Sequence, residues 1–341
     1  MAEPRRMIAI AFGPPTMAEA LAGLPRIRSA ADCVELRLDL FDEPFDLPVL
    51  LRERGDMPVV VTLRPPCQGG RSPLPAPQRL EVLRRAAELG AEYVDVEYDI
   101  ATPDVIAELR AAGAQVIVSR HDFSAMPELS AWWTALAALG GDVVKVVGTA
   151  RDVRDCLSVL SVLSHADQPT IAIAMGEAGL ISRVLALRSD QCLLTYATLG
   201  SGTPTAPGQL TAHEMREVYR AERLTEQTAV FGLLGPHLET DRLTEYNAWF
   251  ARDQVAAVAV PIVATNDAPG IVSAFGELPV KGWHIHGEEL QTTVGQALDE
   301  LASSACRQGK VNAIVRCADG SLVGEWVESP AEQYALWRSA S

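Results

Sequence analysis

QVIVSRHDF (115–123) and VVKVVGTA (143–150) are two β-branched runs separated by a helical stretch, Ala131 to Leu139. Strand, helix and strand in that order predict a parallel crossover unit. In VVKVV, alternation puts Val143, Lys145 and Val147 on one face and Val144 and Val146 on the other. A strand apolar on both sides is buried on both sides. Burial disfavours an ammonium and favours the neutral amine, which can add to a carbonyl carbon. The other reading of Lys145 is a strand-end lysine whose head escapes to solvent or meets a carboxylate. His121 closes the preceding strand, so it is expected beside Lys145 on the neighbouring one. An imidazole able to move a proton near neutral pH, next to an imine-forming lysine, suits chemistry alpha to a carbonyl.

The same alternation extends in both directions. MIAIAF (7–12), CVELRLDL (33–40), PVVVTLRP (58–65), YVDVEYD (93–99), TIAIAMG (170–176) and CLLTYATL (192–199) read as further strands, with helices such as Pro77 to Leu89 between them. Eight such units predict an α/β fold, a (β/α)8 TIM barrel over residues 1–225. Glu35, Arg37, Asp39, Arg64, Glu97, His121 and Lys145 all fall in the second halves or at the ends of their strands. That is where the active site of such a barrel lies. A charged stretch, Thr211 to Gln227, reads as a junction helix, and a smaller α/β lobe follows over 228–341. It comprises AVFGLLG (229–235), a helix near Thr244 to Asp253, AVAVPIV (257–263), a helical stretch to Phe275, GWHIH (282–286), a long helix from Glu288 to Arg307, and a hairpin over 311–327 turning at Ala318 to Gly320.

A chain of 341 residues that is 48% hydrophobic and 21% charged can bury more than one core. Its net charge of -15 disfavours nucleic acid and anionic lipid as partners. An anionic substrate therefore needs a locally basic pocket. The six cysteines are scattered without zinc or disulfide spacing and read as reduced thiols. The apolar run Met7 to Phe12 is too short for a signal core, and no stretch approaches a membrane span, so a cytoplasmic protein is expected.

ELRLD (35–39), TLR (62–64), SRHDF (119–123), VVKVVGTA, MGEAGLISR (175–183) and SGTPTAPGQ (201–209) occur in that order. With them, residues 7 to about 212 resemble the type I 3-dehydroquinate dehydratases. The resemblance implies a hydro-lyase of the shikimate pathway and aromatic amino acid biosynthesis. Such an enzyme converts 3-dehydroquinate to 3-dehydroshikimate and water through a lysine Schiff base, with no metal or nucleotide cofactor. It implies Lys145 as the imine lysine and His121 as the general acid and base. Arg183 and Gln209 would bind substrate, with Glu35, Arg37 and Arg64 lining its hydroxyl side. The fork of Arg183 suits a carboxylate. Three departures from the family pattern are Gln68 where a glutamate is usual, Tyr196 for a phenylalanine, and Thr205 for the serine before APGQ. The competing functions are another Schiff-base barrel, such as a class I aldolase, and a catalytically silent metabolite sensor.

AVFGLLG, YNAWF (246–250) and KVNAIVRCADGSLVGEW (310–326) make the second lobe resemble, more faintly, the substrate domain of shikimate dehydrogenase. That family's serine pair falls on Thr240 and Arg242, its lysine at or near Leu290, and its aspartate near Glu328. No glycine-rich dinucleotide fingerprint follows before Ser341, so a degenerate lobe without dehydrogenase activity is expected. Its open roles are packing, a homodimer contact or metabolite binding. His284 and His286 share a strand face but lack an apparent third ligand, so no metal site is expected.

Overall fold

The computed structural model describes residues 6–200, 209–278 and 280–341. The chain divides into two compact units, Met1–Arg151 with Ser158–Arg216, and Asp152–Leu157 with Glu217–Ser341.

The first unit is built on eight parallel strands: β1 (Met7–Phe12), β2 (Cys33–Arg37), β3 (Val59–Thr62), β4 (Tyr93–Glu97), β5 (Gln115–His121), β6 (Val143–Thr149), β7 (Thr170–Met175) and β8 (Leu194–Ala197). Helices α1 (Met17–Ala30), α2 (Leu47–Glu53), α3 (Ala76–Glu88), α4 (Pro103–Ala111), α5 (Leu129–Ala137), α6 (Cys156–His165) and α7 (Leu180–Leu185) connect them. Local sequence explains several starts. Thr16 and Thr102 accept hydrogen bonds from the third residue beyond them, and prolines occupy the first turns of α2, α3 and α4. The strands pair in the order β7-β6-β5-β4-β3-β2-β1-β8, with each neighbour in parallel register.

Between β7 and β8 the wall closes at one bridge, Thr170 to Cys192. Thr170 N–H donates to Gln191 O at 2.7 Å and Leu193 N–H to Thr170 O at 3.0 Å. Above that bridge, α7 inserts. The Ser182 hydroxyl accepts from Ala174 N–H on β7 at 3.2 Å, and the Arg183 guanidinium donates to Tyr196 O on β8 at 3.5 Å.

Alternate residues of every strand face inward and sort into layers along the barrel axis. The lower layer is apolar, with Met7, Ala9, Cys33, Val60, Ile117 and Val143 among its members. Two residues further along, the same faces carry Glu35, Thr62, Asp95, Ser119 and Lys145, all buried. The expected skew of polar groups towards the carboxyl ends is thus a property of one face, since the outward valines of the same strands stay apolar under the helices.

The second unit has a six-stranded sheet. Its strands are β9 (Ala229–Gly235), β10 (Ala257–Val263), β11 (Val280–Ile285), β12 (Glu300–Leu301), β13 (Ala313–Arg316) and β14 (Leu322–Glu325). Their order is β10-β9-β11-β13-β14-β12, parallel through β10, β9 and β11, then antiparallel at β13 and β14. Helices α8 (Thr240–Arg252), α9 (Ala268–Ala274), α10 (Glu288–Thr293), α11 (Ser303–Gln308) and α12 (Pro330–Ala340) flank it. Trp337 of α12 is fully buried and stacks on Phe231 at 4.7 Å between ring centroids.

Two expected helices are broken. The stretch Glu288 to Arg307 splits into α10, a 3-10 turn, the edge strand β12 and α11. Thr292 and Thr293 turn their hydroxyls back onto the Glu288 and Glu289 carbonyls, and Gly295 follows. The chain then gains sheet bonds, with Asp299 N–H donating to Leu322 O and Ala302 N–H to Gly324 O. The junction Thr211 to Gln227 is also not one helix. Thr211 and Glu214 cap its start reciprocally, a π turn follows over Glu214–Val218, and Arg220 adopts a left-handed backbone with φ of 52° that ends it. Among the described residues, no helix is long and apolar enough to cross a membrane.

Candidate active site

The upper inward layer opens into a cavity at the carboxyl ends of the strands. Glu35, Arg37, Arg64 and His121 line one part of its wall, and Lys145, Arg183, Tyr196 and Gln209 another. The structure therefore gathers into one cavity eight of the ten residues singled out from sequence. Thr205 lies outside the described residues. Gln68 stands behind the wall, where its Oε1 accepts from the backbone N–H of His121 at 3.2 Å. Four cationic side chains (Arg37, Arg64, Lys145, Arg183) and one carboxylate (Glu35) line the cavity, so an acidic chain does present a basic pocket.

Lys145 is 1% exposed, which discards the reading in which its head escapes to solvent. Its three N–H groups are all taken: by Asp95 Oδ2 at 2.8 Å, the Tyr196 hydroxyl at 3.0 Å and Glu35 Oε1 at 3.3 Å. The apolar surroundings expected from VVKVV are only half of its environment, because two buried carboxylates compensate the ammonium. Tyr196 adds an acceptor that a phenylalanine there would lack.

Asp95 was not among the expected site residues, yet it is the hub of this cluster. It also receives the Ser119 hydroxyl and pairs with Arg64 at 2.7 Å. The signal for it was present in YVDVEYD. Tyr93, Asp95 and Glu97 share parity on β4, so any argument that turns Glu97 inward turns Asp95 inward too. Glu35 and Arg37, which could have paired with each other, do not. Arg37 holds Asp39 through two bonds of 2.9 and 2.8 Å, and Glu35 accepts the Thr62 hydroxyl at 2.7 Å.

The electrostatics follow from burial set against these partners. Burial pushes the Glu35 carboxyl up, but Lys145, Arg64 and Arg37 outweigh it and hold it at about 2. Asp95 is likewise penalised by burial and pulled to about 2 by Lys145 and Arg64. Burial, then the positive charges of Arg64 and Lys145, push His121 well below the ordinary imidazole range. The ring is thus a neutral base at pH 7, with its Nδ1 buried and without a hydrogen-bond partner among the described residues. Phe123, 51% exposed, stacks on His121 at 6.0 Å and forms an outer wall of the cavity. Gly69, at φ of 75°, makes room for it, since a Cβ there would lie 2.2 Å from the Phe123 ring.

Glu97 behaves in the opposite sense. Burial and the adjacent Asp95 carboxylate push its carboxyl up from 4.5 to about 7, against the pull of Arg64 and Arg79. The folded chain then keeps a proton that the unfolded chain gives up. Stability from this group is full below pH 4.5 and is lost as the pH rises through 7. Glu97→Gln removes that loss. Denaturant titrations across this range should show the variant gaining on the wild type with rising pH, by up to about 3 kcal/mol. A constant difference would mean that Glu97 titrates normally.

In the second unit, His284 and His286 have different surroundings. The His284 ring shares a hydrogen bond of 2.8 Å with the Tyr246 hydroxyl. His286 instead faces His237 and Glu239, two residues that the sequence did not bring together with it.

The sequence profile of the type I 3-dehydroquinase family matches residues 8–226. A bifunctional 3-dehydroquinate dehydratase/shikimate dehydrogenase of Arabidopsis thaliana is 32% identical over 304 residues, 86% of this chain and 50% of that protein. A 3-dehydroquinate dehydratase of Pyrobaculum aerophilum is 36% identical over 192 residues, 54% of this chain and 62% of that protein. The chain thus spans between half and two thirds of the length of these two relatives. Among solved structures, dehydroquinate dehydratase and shikimate dehydrogenase from S. pombe AroM aligns with 94% of this chain and 64% of its own, at 25% identity and a TM-score of 0.53. The Arabidopsis and S. pombe alignments run past the barrel into the second unit, where the shikimate dehydrogenase-like region of such bifunctional chains lies. With the barrel, the buried lysine and the profile in agreement, this chain belongs to the type I 3-dehydroquinase family.

Proposed function

We propose that the chain dehydrates 3-dehydroquinate to 3-dehydroshikimate through an imine on Lys145, with the catalytic machinery in residues 1–225 and an accessory lobe in 228–341. The observation that carries this reading is that the buried Lys145 amine and the neutral His121 imidazole line one basic cavity. Lys145 gives one ammonium proton to the neutral His121 imidazole, the freed amine adds to the substrate ketone, and that proton leaves with the carbinolamine oxygen as water to give an iminium. That cation acidifies the adjacent C–H. His121 accepts the proton, then returns it to the departing hydroxyl beta to the imine, and hydrolysis frees product and amine. Arg183 and Gln209 hold the substrate carboxylate side, with Thr205 four residues before Gln209 in sequence, while Glu35, Arg37 and Arg64 face its hydroxyls. Glu35 and Asp95 are suited to stabilise the iminium, because they already hold the ammonium it replaces. A cytoplasmic enzyme, working as a homodimer, completes the proposal.

The test is borohydride added during turnover, followed by peptide mass mapping. Reduction should leave a stable adduct on Lys145, and a label on another residue, or no label at all, would overturn the imine route.

Gln68 supplies a second test. It touches the His121 backbone and carries no charge to offset Arg64 and Lys145. Gln68→Glu places a carboxylate behind the ring and should raise the imidazole pKa. Because the base must be neutral to act, the acid limb of the kcat/KM profile should then move to higher pH, by about one unit. An unmoved limb would mean that position 68 does not sense the imidazole.

A further inference from the structure

β9 and β11 are parallel neighbours, with Leu234 opposite Ile285, so their carboxyl ends lie side by side. His286 follows β11 and swings its ring across the end of β9. Gly235 permits this, because a Cβ at that position would lie 1.8 Å from the imidazole. The ring Nε2 lies 3.1 Å from the carbonyl oxygen of His237. A carbonyl oxygen only accepts, so Nε2 carries the proton and donates. Nδ1 therefore presents its lone pair. That atom is buried and has no hydrogen-bond partner among the described residues. What faces it is Glu239 Oε2, 3.9 Å away, too far for a hydrogen bond even if the ring were charged. Burial in any case pushes the ring below its ordinary range. The His237 ring meets the His286 ring edge-on at 5.2 Å, and one donor atom from each of the three residues lies within 4.8 Å of the others.

An open nitrogen lone pair, a carboxylate and a second imidazole thus converge on one point, an arrangement that a divalent cation can hold together. We propose that His237, Glu239 and His286 form a binding site for one zinc-class divalent ion in the second unit. Two imidazoles and one carboxylate are a borderline donor set that suits Zn²⁺ and disfavours Mg²⁺ or Ca²⁺. The His286 Nε2 bond to a backbone carbonyl is the outer contact that ligating histidines usually make. Ligand bonds of about 2.0–2.2 Å place donor atoms about 3.4 Å apart in a tetrahedron. Glu239 and His286, 3.9 Å apart, must therefore close by roughly half an ångström, and the exposed His237, within 4.8 Å of both, by at most about 1.4 Å. His237 and Glu239 also line an open cleft with Thr240 and Arg242.

The experiment is calorimetric titration of metal-stripped, full-length protein with Zn²⁺, repeated with Co²⁺ while recording its visible spectrum. One equivalent of Zn²⁺ should bind, and Co²⁺ should show the intense d–d bands of a low-symmetry nitrogen and oxygen site. His237→Ala and Glu239→Gln should each weaken Zn²⁺ binding at least about tenfold. Both lie on the segment after β9, so their metal-free circular dichroism and unfolding temperature should match the wild type and separate ligand loss from misfolding. His286→Ala should abolish binding. Absence of uptake by the wild type would overturn the site. So would uptake that survives the His237→Ala, Glu239→Gln double exchange, which would place the ion elsewhere, for example on the exposed thiols of Cys67, Cys306 and Cys317.

Discussion

Lys145→Ala is expected to lower kcat by at least about 10⁴-fold and to leave no borohydride-reducible adduct. The size of the loss follows from the route: without the amine there is no iminium, and the C–H beside a simple ketone is far less acidic. The same substitution should also destabilise the fold in a pH-dependent way. Glu35 and Asp95 are held at about 2 chiefly against their own burial by this ammonium. Their stabilising contribution is present above their unfolded values, near 4, and is lost as the pH falls through 2. Removing Lys145 leaves two buried carboxylates with Arg64 as their main compensation, a change of about 3–5 kcal/mol at neutral pH. Denaturant titrations should therefore show the largest deficit above pH 4.5, shrinking as the carboxylates take up protons. A variant with wild-type stability at pH 7 would contradict the structural role, and one with residual trapping would contradict the chemical role.

His121→Ala should separate the two halves of the mechanism. Imine formation needs the amine and the carbonyl, whereas proton removal and departure of the hydroxyl need the base. Turnover is expected to fall by about 10²–10⁴-fold while borohydride still labels Lys145. Single-turnover mixing should then show an adduct that accumulates instead of passing to product. If labelling disappears with the imidazole, His121 is required before the iminium forms.

The strands of both units were legible because they announce themselves twice, by β-branched runs and by the period of two. MIAIAF and AVAVPIV coincide with β1 and β10, since nothing competes for those residues. Strands were read too long where polar residues took the chain over: Leu38 to Leu40 wind into a 3-10 turn after β2, around the bidentate Arg37–Asp39 pair. The stretches around residues 220 and 295 depart from single helices partly through contacts distant in sequence, a carbonyl at Ala257 and the edge of β14. In the site, the ordered motifs supplied Lys145, His121 and the arginines. Asp95 is harder to read because it sits at a strand middle and reaches the cavity only through the Lys145 and Arg64 side chains that it holds. The grouping of His237 and Glu239 with His286 could not be read from spacing, because it depends on two parallel strands ending level.

The barrel wall has a missing stave. Along its upper half, the place between β7 and β8 is taken by the six residues of α7, with side-chain bonds from Ser182 and Arg183 to the flanking strands. One of those bonds comes from Arg183, the group proposed to grip the substrate anion. An anion that draws the guanidinium inward therefore pulls on the hoop that keeps the two strands together. Filling the cavity and holding that part of the rim would then be coupled through one guanidinium.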